Sequence, residues 1–417
     1  MKKIIVIGGG AAGMMAAISA AEDPQNEITI LERNTVLGWK LNITGKGRCN
    51  VTNDCDVETL LANVPRNAKF LYSAFHAFSA QDAKSFFEQL GVPLKTERGQ
   101  RVFPVSDHAK DISGALKNKL HKDHIAVMQG CAAKIETKDG AVSGVTCTDG
   151  RFLAADRVIL ATGGLSYPRT GSDGIGLKMA VQAGHSLTEP VASLIRLKTE
   201  ESDPAELEGL ALKNIAVTLL SGKKKVYQDF GELVFTADGV SGPVILSGSA
   251  HICRKLAETP FRLEIDLKPA LDAETLDKRI LRDFEENINR DFINAVSSLL
   301  PGKLIPVIIR RSGIDPHKKV NLVTKEERAA LVSVIKAYAL TVCATGPIEE
   351  AIITSGGIKI KEINPKTMES KLVPGLYFAG EIIDVDAYTG GFNLQIAWST
   401  GRAAGKAQCF EDKEQES

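Results

Sequence analysis

The chain has 417 residues, 44% hydrophobic and 24% charged, the balance of an ordinary soluble globular protein with room for two or three packed units. Lys plus Arg and Asp plus Glu both number 51, so no net field advertises a nucleic-acid or membrane partner, although a local basic groove is compatible with zero net charge. The seven cysteines form no C-x-x-C pair and no histidines stand at zinc-ligand spacing, which argues for reduced thiols and against a structural metal.

The opening M-K-K-I-I-V-I-G-G-G has an apolar run too short for a secretory leader, and no long apolar span follows. A cytoplasmic protein without a membrane partner is expected. Residues 3–8 suit a buried parallel strand. In the following G-G-G-A-A-G, Gly8 permits a tight turn, Gly10 lets backbone approach a pyrophosphate, and Gly13 lets a helix pack on the strand. Ala11 and Ala12 open that helix, whose free N–H groups and positive dipole end suit phosphate. A second strand, E-I-T-I-L-E, ends at Glu32, placed to accept hydrogen bonds from an adenosine ribose, with Arg33 beside it. Strand, glycines, helix, strand and acid in this order indicate a dinucleotide site. They do not separate NAD from FAD, and Glu32 disfavours a 2′-phosphate.

Next comes K-L-N-I-T-G-K-G-R-C-N-V-T-N at 40–53, too polar for a core strand and too patterned for a linker. Gly45 and Gly47 allow close approach; Lys40, Asn42, Thr44, Arg48 and Asn50 are the types that meet pyrophosphate, ribityl and flavin edges; Cys49 lies among them. Strands are predicted near 125–135 (with Ala132), 141–148 and 152–160, separated by Asp139-Gly140 and Asp149-Gly150 turns. The last runs into Ala161, Thr162 and Gly163, either a plain strand end or a second backbone approach to the same dinucleotide. Near the C-terminus a strand in G-L-Y-F-A-G-E ends at Gly380-Glu381, and Y-T-G-G-F-N-L-Q starts a small-residue helix in which Gly401 and Gly405 allow close packing. This late return suits FAD, whose flavin end needs its own contacts. Glu381 can hold ribityl hydroxyls, and a helix N-terminus at Gly391, Phe392, Asn393, Leu394 and Gln395 can face the flavin N1/C2=O edge.

Three of these segments, G-G-G-A-A-G, residues 40–53 and residues 380–395, with F-T-A-D-G-V-S-G-P at 235–243, resemble the flavoprotein family of aminoacetone oxidase and the BaiN-type 3-dehydro-bile-acid reductases. The resemblance runs from residue 1 to about 405. It implies an α/β fold: a Rossmann-like FAD domain of the two-dinucleotide-binding type (1–190 and 351–417), an inserted β-barrel-like domain (191–270 and about 341–350) and a small helical domain (271–340). The residues agree with that order: N-I-A-V-T-L-L reads as strand, S-G-K-K-K as a solvated turn, and Thr324 with Glu327 as a capping box. Family activities include amine oxidation, reduction of double bonds in 3-oxo bile-acid derivatives, and reduction of uridine in ribosomal RNA. The expected cofactor is FAD, with NAD(P)H as transient electron donor and a small molecule, or alternatively rRNA, as acceptor; an O2-using amine oxidase is the third reading. Hydride transfer at flavin N5 to a double bond needs a proton donor. The candidates are Tyr388, Asp384, Cys49 and Arg169: Tyr388 as donor or turn packing, Asp384 as loop organiser, Cys49 as donor or space-filler, Arg169 as anion or reduced-flavin partner.

Overall fold

The structure, a computed structural model, describes residues 1–409 and divides them into two compact units, 1–193 with 347 onward, and 194–346. The first unit is built on a five-stranded parallel sheet in the order Leu376–Phe378, Arg157–Leu160, Lys2–Ile7, Asn26–Glu32 and Ala126–Gln129. Ile4 to Ile7 are all buried, as an all-parallel sheet covered on both faces requires. The C-terminal strand pairs with Arg157–Leu160, so the last part of the chain completes the sheet begun by the first.

Helix Ala11–Ala20 is buried from Ala12 onward and packs along helix Phe392–Lys406. The glycines of the second helix make that approach possible. A Cβ on Gly401 would collide with the carbonyl oxygen of Ala12, and one on Gly405 with that of Ala16. Glu22, just past the first helix, is ion-paired with Arg402 and Lys406 of the second.

Two strands anticipated from sequence change sheets partway. The run near 125–135 splits into Ala126–Gln129 in the parallel sheet and Ala132–Lys138 in a three-stranded antiparallel sheet with Ala141–Cys147 and Phe152–Ala154. The run near 152–160 splits likewise, Arg157–Leu160 rejoining the parallel sheet. A continuous apolar run carries no mark of where the pairing partner changes, so periodicity fuses the two. The Asp139-Gly140 turn has φ of 52° and 83°, the left-handed pair that a two-residue hairpin demands.

Residues 40–53 also hold more structure than their polarity suggests. A helix spans Trp39–Gly47 but leaves helical geometry at Thr44, and Gly45, Lys46, Gly47 and Cys49 take φ of 56°, 60°, 83° and 60°. Thr52–Asn53 then pairs with Arg101–Pro104.

In the second unit six strands close a barrel: Leu197–Thr199, Gly239–Ser241, Lys224–Thr236, Ala211–Ser221, Phe261–Asp266 and Tyr338–Thr345. Helices Ala273–Glu285, Ile305–Ser312 and Lys325–Lys336 share one apolar core with it, through Leu276, Ile308 and Leu331 among others. The Thr324–Glu327 capping box forms, and Gly222 (φ 58°) turns the hairpin before Lys224. Asp203, 5% exposed, ties this unit together by accepting from Arg310, Arg311 and the Tyr338 hydroxyl.

Candidate FAD site

The glycine turns of the first unit converge. Gly8, at φ 102°, lies so close to the chain leaving Arg157–Leu160 that a Cβ would stand 2.6 Å from Ala161 O. Gly380, at φ 76°, faces Ala12, with 2.8 Å between a Cβ there and Ala12 Cβ, and its N–H donates to Thr400 Oγ1 at 2.9 Å. Gly391, at φ 100°, abuts the Thr52 backbone. The 8–13, 40–53, 161–164 and 380–395 segments are therefore one neighbourhood.

At the C-terminal end of strand Asn26–Glu32, Glu32 is 7% exposed, and its carboxylate accepts from Gly9 N at 2.6 Å and Asn34 N at 2.7 Å. Gly130 N donates to Glu32 O at 2.9 Å, which brings the buried Ala132 to the same end. Arg33 is ion-paired with Asp173. Helix Ala11–Ala20 has Gly10 as its N-cap and no side-chain cap, so the N–H groups of Ala11, Ala12 and Gly13 have no partner within the helix.

Lys40 and Glu381 form a pair that neither residue's surroundings in sequence announce. Lys40 Nζ donates to Glu381 Oε2 and to Ser166 Oγ, both at 2.7 Å. Glu381 Oε1 accepts from Ser166 Oγ at 2.9 Å and Thr354 N at 2.8 Å. Burial pushes the Glu381 carboxyl up, but Lys40, the Thr354 N–H and Ser166 outweigh it and hold its pKa below the usual carboxylate range. Gly163 (φ 74°) and Gly164 pass over this carboxylate.

The 40–53 segment is fastened to helix Phe392–Lys406. Trp398 Nε1 donates to Val51 O, Thr52 Oγ1 to Gln395 Oε1, and Asn53 Nδ2 to Gly390 O. Gln395 is fully buried and its amide also donates to Phe78 O and Ser399 Oγ, so it braces the helix from inside. Asn393 likewise spends its amide on its own loop, accepting from Ala387 N and donating to Ala387 O and Tyr388 O. Arg48 lies over the Phe103 ring and donates to Glu97 and Asp107. Asn42 accepts from Ser113 Oγ, and Thr44 Oγ1 donates to Leu41 O. These side chains shape the segment from within.

Of the proton-donor candidates, Cys49 is fully buried and burial pushes its thiol up to about 12, so it is a space-filler at a left-handed position. Asp384 is 4% exposed; its Oδ2 accepts from Arg66, Asn67 and Thr188, while its Oδ1, 3.3 Å from Arg66 Nη1, is buried without a hydrogen bond. Arg169 stands exposed on the 3₁₀ turn Pro168–Thr170. Tyr388 is half-buried on the loop before helix Phe392–Lys406, its N–H donating to Asn63 O at 3.0 Å; burial, then Asp386, raises its phenol pKa. Sequence reasoning missed Arg66, Asn67, Ser166, Thr354 and Ser355, because none sits in a patterned motif.

The residues fit FAD. A Cβ on Gly10 or on Gly47 would meet nothing within 4 Å, leaving two stretches of bare backbone open to a ligand. Thr162 Oγ1 and Asn50 Oδ1 are buried without a hydrogen-bond partner. Two helix N-termini without side-chain caps supply donors for pyrophosphate and flavin carbonyl, and the buried Glu32 and largely buried Glu381 supply acceptors for ribose and ribityl hydroxyls.

Comparison with known proteins agrees. Residues 2–407 match the HI0933-like protein Rossmann domain. The chain is 32% identical over 411 residues to a 3-dehydro-bile acid delta(4,6)-reductase of Clostridium scindens, covering 98% of this chain and 99% of that one. It is 30% identical over 405 residues to a ribosomal RNA dihydrouridine synthase of Haemophilus influenzae, covering 96% of each. Among solved structures, a 3-ketosteroid delta1-dehydrogenase of Sterolibacterium denitrificans superposes with a TM-score of 0.53 at 12% identity, over 98% of this chain and 100% of that one, a likeness of fold alone. No helix among the described residues is long and apolar enough to cross a membrane. With family match, fold and donor set in agreement, the chain belongs to the HI0933-like family of FAD-binding Rossmann proteins and is an FAD-dependent oxidoreductase.

Proposed function

We propose that this oxidoreductase reduces a carbon–carbon double bond conjugated to a carbonyl, with cytoplasmic NAD(P)H as electron source and a 3-oxo bile-acid or steroid-like molecule as acceptor. Bound FAD supplies a hydride at N5. Gly10 backbone and the Ala11–Ala20 N-terminus would hold the pyrophosphate, Glu32 the ribose, Glu381 with Lys40 the ribityl chain, and the Phe392–Lys406 N-terminus the flavin edge. The observation that carries the reading is Tyr388: a half-buried phenol on the loop leading into that helix, pinned through its own N–H and through Asn393, its pKa raised by burial and by Asp386. A saturating step needs such a proton, and the alternatives are poorer: Cys49 is sealed in the core, and Asp384 is ion-paired with Arg66.

The Haemophilus relative's name supports a second acceptor, since the uracil ring of rRNA presents the same conjugated arrangement. Anaerobic reduction with NADH or NADPH, then stopped-flow mixing with a 3-oxo-4,6-diene bile acid, unmodified rRNA, or oxygen, separates these readings. Fast reoxidation by the bile acid is expected. Reoxidation by rRNA alone selects the uridine reading, and reoxidation by oxygen alone, with peroxide formed from small amines, overturns both.

A further inference from the structure

Arg66 lies outside every motif, yet it is wired into the same loop as Tyr388. Its guanidinium donates from Nη2 to Asp384 Oδ2 and from Nη1 to Ser355 Oγ, each at 3.3 Å. The anchor is rigid: Asp384 also accepts from Thr188 Oγ1 at 2.7 Å and from Asn67 Nδ2 at 3.1 Å, while Asn67, at φ 59°, donates to the Asp384 carbonyl at 2.7 Å. Three residues upstream of Arg66, Asn63 O takes the N–H of Tyr388. The 63–67 segment therefore runs beside the 384–388 loop and joins it at both ends.

The two partners differ in exposure. The Asp384 side chain is 6% exposed and the Arg66 side chain 31%. A guanidinium carries about five N–H donors in a planar fork, and the hydrogen bonds above use one on each terminal nitrogen. One terminal nitrogen is held on a buried carboxylate and the other on Ser355, and the partly exposed fork keeps further N–H groups, on the segment that takes the Tyr388 N–H through Asn63.

We infer that Arg66 is a catalytic residue that binds the carbonyl oxygen of the conjugated acceptor through these further N–H groups. The inference rests on the double-bond reductase reading above and holds for a 3-oxo steroid and a uracil ring alike. In such a reduction the β carbon accepts two electrons as hydride, and the π pair of the double bond moves to the carbonyl oxygen as an enolate. The α carbon then takes the proton of Tyr388, giving the saturated carbonyl; NAD(P)H is what is oxidised, and solvent returns a proton to the tyrosinate. Negative charge grows on the oxygen only as the hydride arrives, so a fixed cation there favours the transition state over the ground state. Asp384 is the positioning residue: it fixes the fork and lowers the charge it presents without removing it.

The test compares photoreduced wild-type holoenzyme with Arg66→Ala and Arg66→Lys, each reoxidised by a 3-oxo-4,6-diene bile acid or by ferricyanide, which has no carbonyl to polarise. For Arg66→Ala, bile-acid reoxidation falls by about 10²-fold or more. Ferricyanide reoxidation and FAD content stay at wild-type values, and added guanidinium ion restores part of the lost rate. Arg66→Lys keeps the charge without the fork and loses about tenfold. A bile-acid rate within threefold of wild type in either variant overturns the inference, as does an equal loss with both acceptors, which marks Arg66 as a structural pin. Should wild type itself fail to reoxidise with the bile acid or with rRNA, the reductase reading is what has failed.

Discussion

Glu381 keeps its charge in a setting that penalises it. Its side chain is 13% exposed, and what holds it ionised is Lys40 at 2.7 Å, from the opposite end of the chain, with Ser166 and the Thr354 N–H. Removing one partner of such a pair strands the other charge, at a cost of about 3 kcal/mol. Lys40→Met is expected to show that loss in urea unfolding at pH 7, together with FAD binding weakened at least about tenfold, since the carboxylate then shifts toward the neutral form. The sign with pH follows. In wild type the folded Glu381 pKa is depressed, so its contribution is complete above the ordinary carboxylate pKa and is lost as pH falls through the folded value. In the variant the carboxyl is raised instead and gains from acid. The stability gap between the two proteins therefore narrows between pH 7 and pH 4; a gap independent of pH would refute the pairing.

At the scale of elements, the contact between helices Ala11–Ala20 and Phe392–Lys406 depends on the absence of side chains. Gly405→Val places two methyl groups where the Ala16 carbonyl and Ser19 Cβ already stand, and neither backbone can yield without shifting the sheet beneath. Destabilisation of about 3 kcal/mol or more is expected, with loss of bound FAD, while Gly302→Ala, where a Cβ meets nothing, stays near wild type; equal unfolding midpoints would contradict this packing. These glycines were legible in the sequence, as were the first βαβ unit, Glu32, Glu381 and the Thr324 cap, because each is a local rule: a spacing, a turn or a cap. What stayed hidden is non-local. The Lys40–Glu381 pair joins residues 341 apart, and Arg66 and Thr354 act through loops they meet only in three dimensions. The positive φ values at Gly45, Lys46, Gly47 and Cys49 fall between: the glycines are visible, but Lys46 and Cys49 take them too, in a segment that continues into residues tied to helix Phe392–Lys406 and to strand Arg101–Pro104. Arg48, Asn393 and Gln395 were the right chemical types for a cofactor edge, yet each satisfies its own protein neighbours.

For the molecule as a whole, the residues proposed to hold FAD all lie in the unit formed by residues 1–193 and 347 onward, and the barrel with its helices has its own core. The inserted unit begins and ends side by side, Gly346 N donating to Arg196 O at 3.0 Å, while Ser193 pairs with Ile353 in the FAD unit. Excision of 194–346 with a short Gly/Ser bridge from Ser193 to Pro347 is therefore expected to leave a protein that reconstitutes with FAD and shows flavin absorbance. A colourless product that cannot be loaded would mean the FAD unit depends on the insert.

The pairing of helix 11–20 with helix 392–406 also sets a clock. Ribosomes extend chains at about 5–20 residues per second, so the first helix waits on the order of 20–80 s for its partner to be made. Throughout that interval its alanine- and methionine-lined face and the Arg157–Leu160 sheet edge stand uncovered, with the whole inserted barrel translated in between. The nascent chain is then an apolar half-domain, and its sheet and helix pair are complete only once residues 376–406 have been made.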